Sequence, residues 1–218
     1  MINLIELLYP QVCGICDKKI NERYTCRKCL NILEYYQGLD LPSTYENFFY
    51  DRLICLYPYN GQLKSKMLQL KFDGKKYIAR TFADLIARKI QVLSITADYI
   101  IPVPISKKRM FERGFNQSEI ICRYVSGFTG IPVNKSLIKV RNNLTQSNLG
   151  PVERKQNVIG AYDVQKDNVL KNKKVILIDD IYTTGATMNE CSKVLKSVGV
   201  SYINAVTVLY ILKWFYIQ

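Results

Sequence analysis

Two short segments of this sequence hold residue types that can do chemistry. The first is VILIDDIYTTGAT, residues 175–187. Four apolar residues lead into two adjacent carboxylates, Asp179 and Asp180, and then into Thr183, Thr184, Gly185, Ala186 and Thr187. A helix starting there offers unpaired backbone N–H groups and the positive end of its dipole, both suited to a phosphate dianion. Gly185 allows close backbone approach, and the threonine hydroxyls can donate to phosphate oxygens. The carboxylates can accept from a pair of sugar hydroxyls or hold hydrated Mg²⁺. The run therefore describes a sugar-phosphate site, with phosphate on residues 183–187 and the diol on Asp179 and Asp180, the catalytic candidates. Thr187 and Glu190 also fit a helix capping box. That accounts for one threonine and one glutamate, and not for the two aspartates or the Thr-Thr-Gly run.

The second segment holds Cys13, Cys16, Cys26 and Cys29, two CxxC pairs with nine residues between them. Each pair can form a tight knuckle, and two knuckles can close a tetrahedral site of four thiolates. Zinc suits such a soft, closed donor set. A segment this small also needs a staple to fold. Redox chemistry or idle thiols are the alternatives. Cys55, Cys122 and Cys191 stand in apolar-periodic contexts and are expected in the core.

The elements that must position these residues follow from periodicity. Residues 41–96 suggest a strand and two helices, the helices marked by Leu63, Met67 and Leu70 and by Ile78, Phe82, Leu85, Ile86 and Ile90. Tyr99 to Pro104 resembles a buried strand running into a loop. Asn116 and Glu119 mark the start of a helix that Gly130 ends. Residues 139–158 are polar and basic with few apolar anchors, which suggests a long mobile loop. Val175 to Ile178 is continuously apolar, as expected of a parallel strand buried on both faces. A helix with Met188, Cys191, Val194, Leu195 and Val198 inward follows, then a strand from Tyr202 to Leu209. This alternation predicts an α/β fold, a parallel sheet flanked by helices. Three regions result: a cysteine module over 1–40, a connecting region over 41–96 packed on the core, and the α/β domain over 97–218.

Composition narrows the function classes. With 48% hydrophobic and 22% charged residues, the 218-residue chain can build a core and is not broadly disordered. Thirty-one Lys and Arg against 18 Asp and Glu give a net charge of +13. That excess attracts polyanions such as nucleic acid, phosphorylated metabolites or acidic membrane surfaces, although a well-solvated basic surface has the same composition. There is no histidine, so catalysis must use carboxylates, metal, backbone dipoles, Lys or Arg. The opening MINLIELLYP has no basic n-region or cleavage site, and Lys213 interrupts the apolar tail. A reducing, cytoplasmic location without a transmembrane segment is expected.

The 175–187 segment resembles the PRPP (phosphoribosyl pyrophosphate) motif of type I phosphoribosyltransferases. The whole chain resembles the ComF/ComFC family of bacterial competence proteins. That resemblance rests on the four-cysteine start, Leu70-Lys71-Phe72-Asp73-Gly74, the IPVPISKKRMFERGFNQSE run over 101–119, the RNNLTQSNLGPVERKQNVIGAY run over 141–162, and DDIYTTGAT. It implies a type I phosphoribosyltransferase-like fold with an N-terminal four-cysteine zinc module. It also implies a pyrophosphate loop at Pro104, Ile105, Ser106, Lys107 and Lys108. Further phosphate or flexible-loop contacts are implied at Arg109, Arg113, Asn116, Gln117, Arg141, Thr145, Gln146 and Arg154. Phe115 as a buried anchor and Asn116 as a helix cap are the structural alternative for the Arg113–Gln117 run. The implied ligands are PRPP or another ribose phosphate with Mg²⁺, and single-stranded DNA. The implied setting is natural transformation, at the inner face of the membrane beside a competence helicase or other DNA-processing proteins. An active phosphoribosyltransferase of nucleotide salvage or amidophosphoribosyl transfer is the alternative, but no base-recognition segment is identifiable.

Overall fold

A computed structural model of the chain describes residues 12–21, 24–36, 38–42, 48–141, 158–165 and 168–211. In chain order these form α1 (Arg27–Glu34), β1 (Leu39–Pro42), β2 (Arg52–Pro58), α2 (Gly61–Phe72), α3 (Tyr77–Val92), β3 (Tyr99–Pro102), α4 (Lys107–Arg113), α5 (Gln117–Thr129), β4 (Leu137–Lys139), β5 (Tyr162–Val164), β6 (Lys174–Tyr182), α6 (Ala186–Ser197) and β7 (Tyr202–Tyr210). Five strands make one sheet in the order β1-β2-β7-β6-β3. β2, β7, β6 and β3 are mutually parallel, and β1 adds an antiparallel edge. β4 and β5 form a separate antiparallel pair. Among the described residues no helix is long and apolar enough to cross a membrane.

The continuous apolar strands follow from burial on both sides of the sheet. Alternate residues of β2, β6 and β7 enter two cores. Ile54, Ile176, Ile178 and Val206 face a core shared with Met67 and Leu70 of α2, Ile78, Phe82 and Ile86 of α3, and Ile121 and Val125 of α5. Leu53, Cys55, Val175, Leu177 and Ala205 face the other, with Met188, Cys191 and Leu195 of α6. Cys55, Cys122 and Cys191 are fully buried.

The expected strand and two helices of residues 41–96 are β2, α2 and α3. β2 lies beside β7 within the sheet, so this region supplies a core strand as well as covering helices. β6 is longer than its apolar run, because β7 continues alongside it: Asp179 lies opposite Thr207, and Tyr182 opposite Tyr210. The two aspartates therefore lie inside the ladder. The loop after β3 is shorter than expected, since Lys107 already opens α4. Thr145, Gln146, Arg154 and nearly all of the anticipated long loop lie outside the described residues.

The cysteine module packs on the first core through Cys13, Ile15, Cys29 and Leu33. Gly14 sits against α3, where a Cβ would fall 2.2 Å from Thr81 Oγ1. The Gly14 N–H (3.1 Å) and the Thr81 hydroxyl (2.7 Å) both donate to the Tyr24 carbonyl. Asp17 accepts from Lys66 of α2 and from the Tyr77 hydroxyl of α3, the latter at 2.9 Å. Gly14→Ala must push the knuckle off α3 and should cost about 1–3 kcal/mol, as overpacking does. Thermal unfolding of the purified variant checks this through a lowered Tm.

Candidate ribose-phosphate site and four-thiol centre

β6 delivers Asp179 and Asp180 to the carboxyl end of the sheet, where open α/β folds bind ligands. The loop after β3 lies alongside, because the Val103 N–H donates to the Ile178 carbonyl at 2.9 Å. Asn116 fixes the third wall. Its side chain donates to the Val103 carbonyl at 3.0 Å and caps α5 by accepting from the Ser118 N–H, also at 3.0 Å. Gly114 is left-handed at φ 72° and closes α4, so the chain can reverse into α5 three residues later. Phe115 is buried. The structural role of Phe115 and Asn116 is thus present in the fold.

The two acids are treated differently. Asp180 is 5% exposed, and its Oδ2 accepts from Lys71 Nζ at 2.5 Å and from Gln117 Nε2 at 2.9 Å. Asp179 is half-buried, and its Oδ1 accepts from the Ser118 hydroxyl at 3.1 Å and from the Asp180 N–H at 2.9 Å. Burial and the neighbouring Asp180 carboxylate push Asp179 up to about 7.

Thr183, Thr184 and Gly185 then turn into α6. Gly185 takes φ 73° as its N-cap, and a Cβ there would meet Tyr182 Oη at 2.3 Å, so both backbone and space require glycine. The Thr184 hydroxyl accepts weakly from the Ala186 N–H at 3.4 Å. The Thr187–Glu190 capping box does not form. Thr187 bonds to Tyr162, Glu190 accepts from the Gly160 N–H at 2.7 Å, and Gly185 occupies the cap.

Cations gather at the mouth. Arg113 donates to Gln117 Oε1 at 3.1 Å and lies over the Phe72 ring, 5.1 Å from its centroid. Burial, and then repulsion from Arg109, lower the pKa of both Arg113 and Lys139. Lys139 also lies 5.0 Å from the Tyr162 ring centroid and 3.3 Å from its hydroxyl. Arg109 thus disfavours the charge of both Arg113 and Lys139, and such a gathering of cations is an electrostatically prepared place for an anion. Of the anticipated pyrophosphate loop, Ser106 caps α4 by accepting from the Arg109 N–H, and Lys107 and Lys108 are exposed on that helix. Arg141 donates to the Ile159 carbonyl at 2.6 Å and ties two chain segments together.

Sequence reasoning passed over four of these groups. Lys71 and Ser118 stand inside segments already singled out, LKFDG and RGFNQSE, but nothing local marks their partners. Lys139 and Tyr162 meet only because β4 pairs with β5, opposite one another in register.

The four cysteine sulfurs all lie within 4.8 Å of one another, an arrangement that can hold a metal ion. Cys16 and Cys26 sulfurs are 3.7 Å apart, and the Cys26 N–H donates to Cys13 Sγ at 3.3 Å. Four sulfurs about 2.3 Å from a tetrahedral zinc would be about 3.8 Å apart, so the donor set fits in kind and spacing. Burial opposes ionisation of Cys13, but N–H groups of Cys26, Cys16 and Ile15 bring its thiol down to about 7. Burial raises Cys16 and Cys29, and neighbouring thiols raise Cys29 further.

A parallel sheet with a carboxylate pair and glycine turn at a strand end is the arrangement of a phosphoribosyltransferase-type domain. The Phosphoribosyl transferase domain family model matches residues 128–212, and with the four-cysteine cluster this defines a type I phosphoribosyltransferase-like fold headed by a cysteine module. Competence protein F of Haemophilus influenzae is 30% identical over 200 residues, covering 88% of this chain and 87% of that protein. Competence protein ComFC of Bacillus subtilis is 28% identical over 201 residues (89% and 75%), and DNA utilization protein YhgH of Escherichia coli is 24% identical over 210 (88% and 87%). The chain belongs to the competence protein F/ComFC family. Among solved structures, a glutamine PRPP amidotransferase from B. subtilis overlaps 60% of this chain and 26% of its own, with TM-score 0.42 and 20% identity.

The Lys71–Asp180 pair is largely shielded from water, the side chains being 14% and 7% exposed. Removing one partner strands a charge, so Lys71→Met should cost about 3–5 kcal/mol. Lys71→Met combined with Asp180→Asn should cost less than Lys71→Met alone. Chemical denaturation of both variants measures the difference.

Proposed function

We propose that this protein binds PRPP or a related ribose phosphate with Mg²⁺ at residues 179–187, holds zinc on its four thiols, and handles single-stranded DNA during DNA uptake in natural transformation. The observation that carries the reading is the carboxylate pair held at the end of β6, directly before a glycine-capped helix. Asp179 has ligand-facing capacity left, since Oδ2 takes no hydrogen bond from the described residues. The threonine turn and the first N–H groups of α6 receive the 5-phosphate. The cations Arg109, Arg113 and Lys139 face a second anionic group such as pyrophosphate. Asp179 is the residue that would hold Mg²⁺, and the ion would supply neutralisation of the phosphate charge that otherwise repels the acids. The DNA part rests on relatives named for competence and DNA utilization and on the net charge of +13. It sets the protein at the cytoplasmic face of the membrane, in company with a helicase or other DNA-processing proteins.

Titration calorimetry with PRPP and Mg²⁺ tests the site. Losing a charge-assisted hydrogen bond should weaken binding about 10- to 100-fold in Asp179→Asn. Unchanged affinity would refute the sugar-phosphate reading.

The metal reading has its own check. Elemental analysis should find about one zinc per purified chain, and Cys13→Ser with Cys16→Ser should remove it. A metal-free preparation that is stably folded would sink the zinc site.

A further inference from the structure

α4 is an unusual helix for its position. It has seven residues, and none of them is buried. It is held by its ends: Ser106 caps the start, and left-handed Gly114 closes the finish. A helix this short is not stable by itself, and packing normally compensates. Here five of the seven residues, all but Arg109 and Arg113, are instead exposed.

The two sides of α4 do different things. Arg109 and Arg113, four residues apart, share one side. Arg113 reaches Gln117, and Gln117 reaches Asp180, so this side borders the ribose-phosphate site. Lys107 and Phe111 are likewise four apart, and Lys108 and Phe111 three apart, so these three share the other side. Phe111 is 93% exposed, and the Lys108 side chain is 74% exposed. Glu112 is the helix's one acid, and Lys108 lies 3.9 Å from it.

We propose that this outer side of α4 carries single-stranded DNA, with Phe111 as a base-stacking platform and Lys107 and Lys108 as phosphate contacts. The inference rests on the single-strand reading above and assigns it a surface. A bare aromatic ring flanked by cations on one helix face is the combination that grips an unpaired strand: bases stack on the ring while phosphates meet the ammonium groups. Charge complementarity points the same way, since α4 carries four cations and one acid in seven residues. A helix lying on a membrane separates an apolar side from a basic side. In α4 the ring sits between lysines. Beside it, the Arg113 guanidinium lies over Phe72, which is itself 67% exposed, and offers a second flat surface at the border of the ribose-phosphate site. A strand on α4 would thus pass next to the cradle for a ribose phosphate.

Fluorescence anisotropy with a labelled oligothymidylate tests this on the full chain. Phe111→Ala should weaken binding between about 5- and 150-fold, the range for loss of one stacked base, and leave the salt dependence unchanged. Phe111→Tyr should retain affinity, because it keeps a ring. Lys107→Gln with Lys108→Gln should lower the slope of log affinity against log salt by about 0.7 per lysine. All three side chains are exposed, so folding is not at stake, and PRPP affinity in Phe111→Ala should match that of the unchanged protein. Absence of oligonucleotide binding by the unchanged protein at low salt overturns the single-strand reading and this assignment together. Binding that survives Phe111→Ala overturns the assignment alone. So does an α4 whose substitution abolishes attachment to anionic vesicles while oligonucleotide affinity holds.

Discussion

Two adjacent carboxylates at the rim of a hydrophobic core are the constraint around which this molecule is arranged. Removed from water, two such charges cannot both stay ionised without donors close by. Asp180 meets that requirement with Lys71 and Gln117, and Asp179 with Ser118 and a backbone N–H. The donors come from three places in the chain. Lys71 must stand at the end of α2, while Gln117 and Ser118 must open α5. The left-handed Gly114 and the Asn116 cap let α5 begin there, so the Arg113–Gln117 run serves the acids chiefly by placing its last residue.

The same helix that supplies Lys71 also anchors the cysteine module. Lys66 of α2 pairs with Asp17, in the loop just after Cys16, and Lys71 pairs with Asp180. Five residues of helix separate them, about 7.5 Å along the axis. α2 is therefore a strut between the thiol centre and the acidic pair. Tyr77 and Thr81 add a second anchorage from α3. The module is tied to two of the three helices that close one face of the sheet, and it belongs to that core through Cys13, Ile15, Cys29 and Leu33.

Much of this was legible in the residues because it is local. The apolar run of β6, the helical spacing of Ile78, Phe82 and Ile86, the glycine after Thr184 and the paired cysteines each reflect a requirement within a few neighbouring positions. The misplaced features depend on partners far away. β6 runs past its apolar residues because β7 continues beside it, and no property of Asp179 or Asp180 announces that. Thr187 and Glu190 have capping-box spacing, yet Tyr162 and the Gly160 N–H claim them. Lys71 and Asp180 are more than a hundred positions apart, and Lys139 meets Tyr162 only through the β4–β5 pairing. Periodicity carries no signal for such meetings.

The unequal treatment of the two acids has a chemical meaning. A symmetric pair would suit a diol with two equivalent grips. Here Asp180 is 5% exposed and one oxygen already takes two donors, whereas Asp179 is half-buried, keeps Oδ2 free of protein donors among the described residues, and is pushed up to about 7. The fold thus spends its internal cation on the inner acid and leaves the outer one under-compensated. An arriving hydroxyl donor or cation relieves the charge on Asp179 and needs to displace nothing from Asp180. Lys71 thereby confines the electrostatic demand of the pair to Asp179.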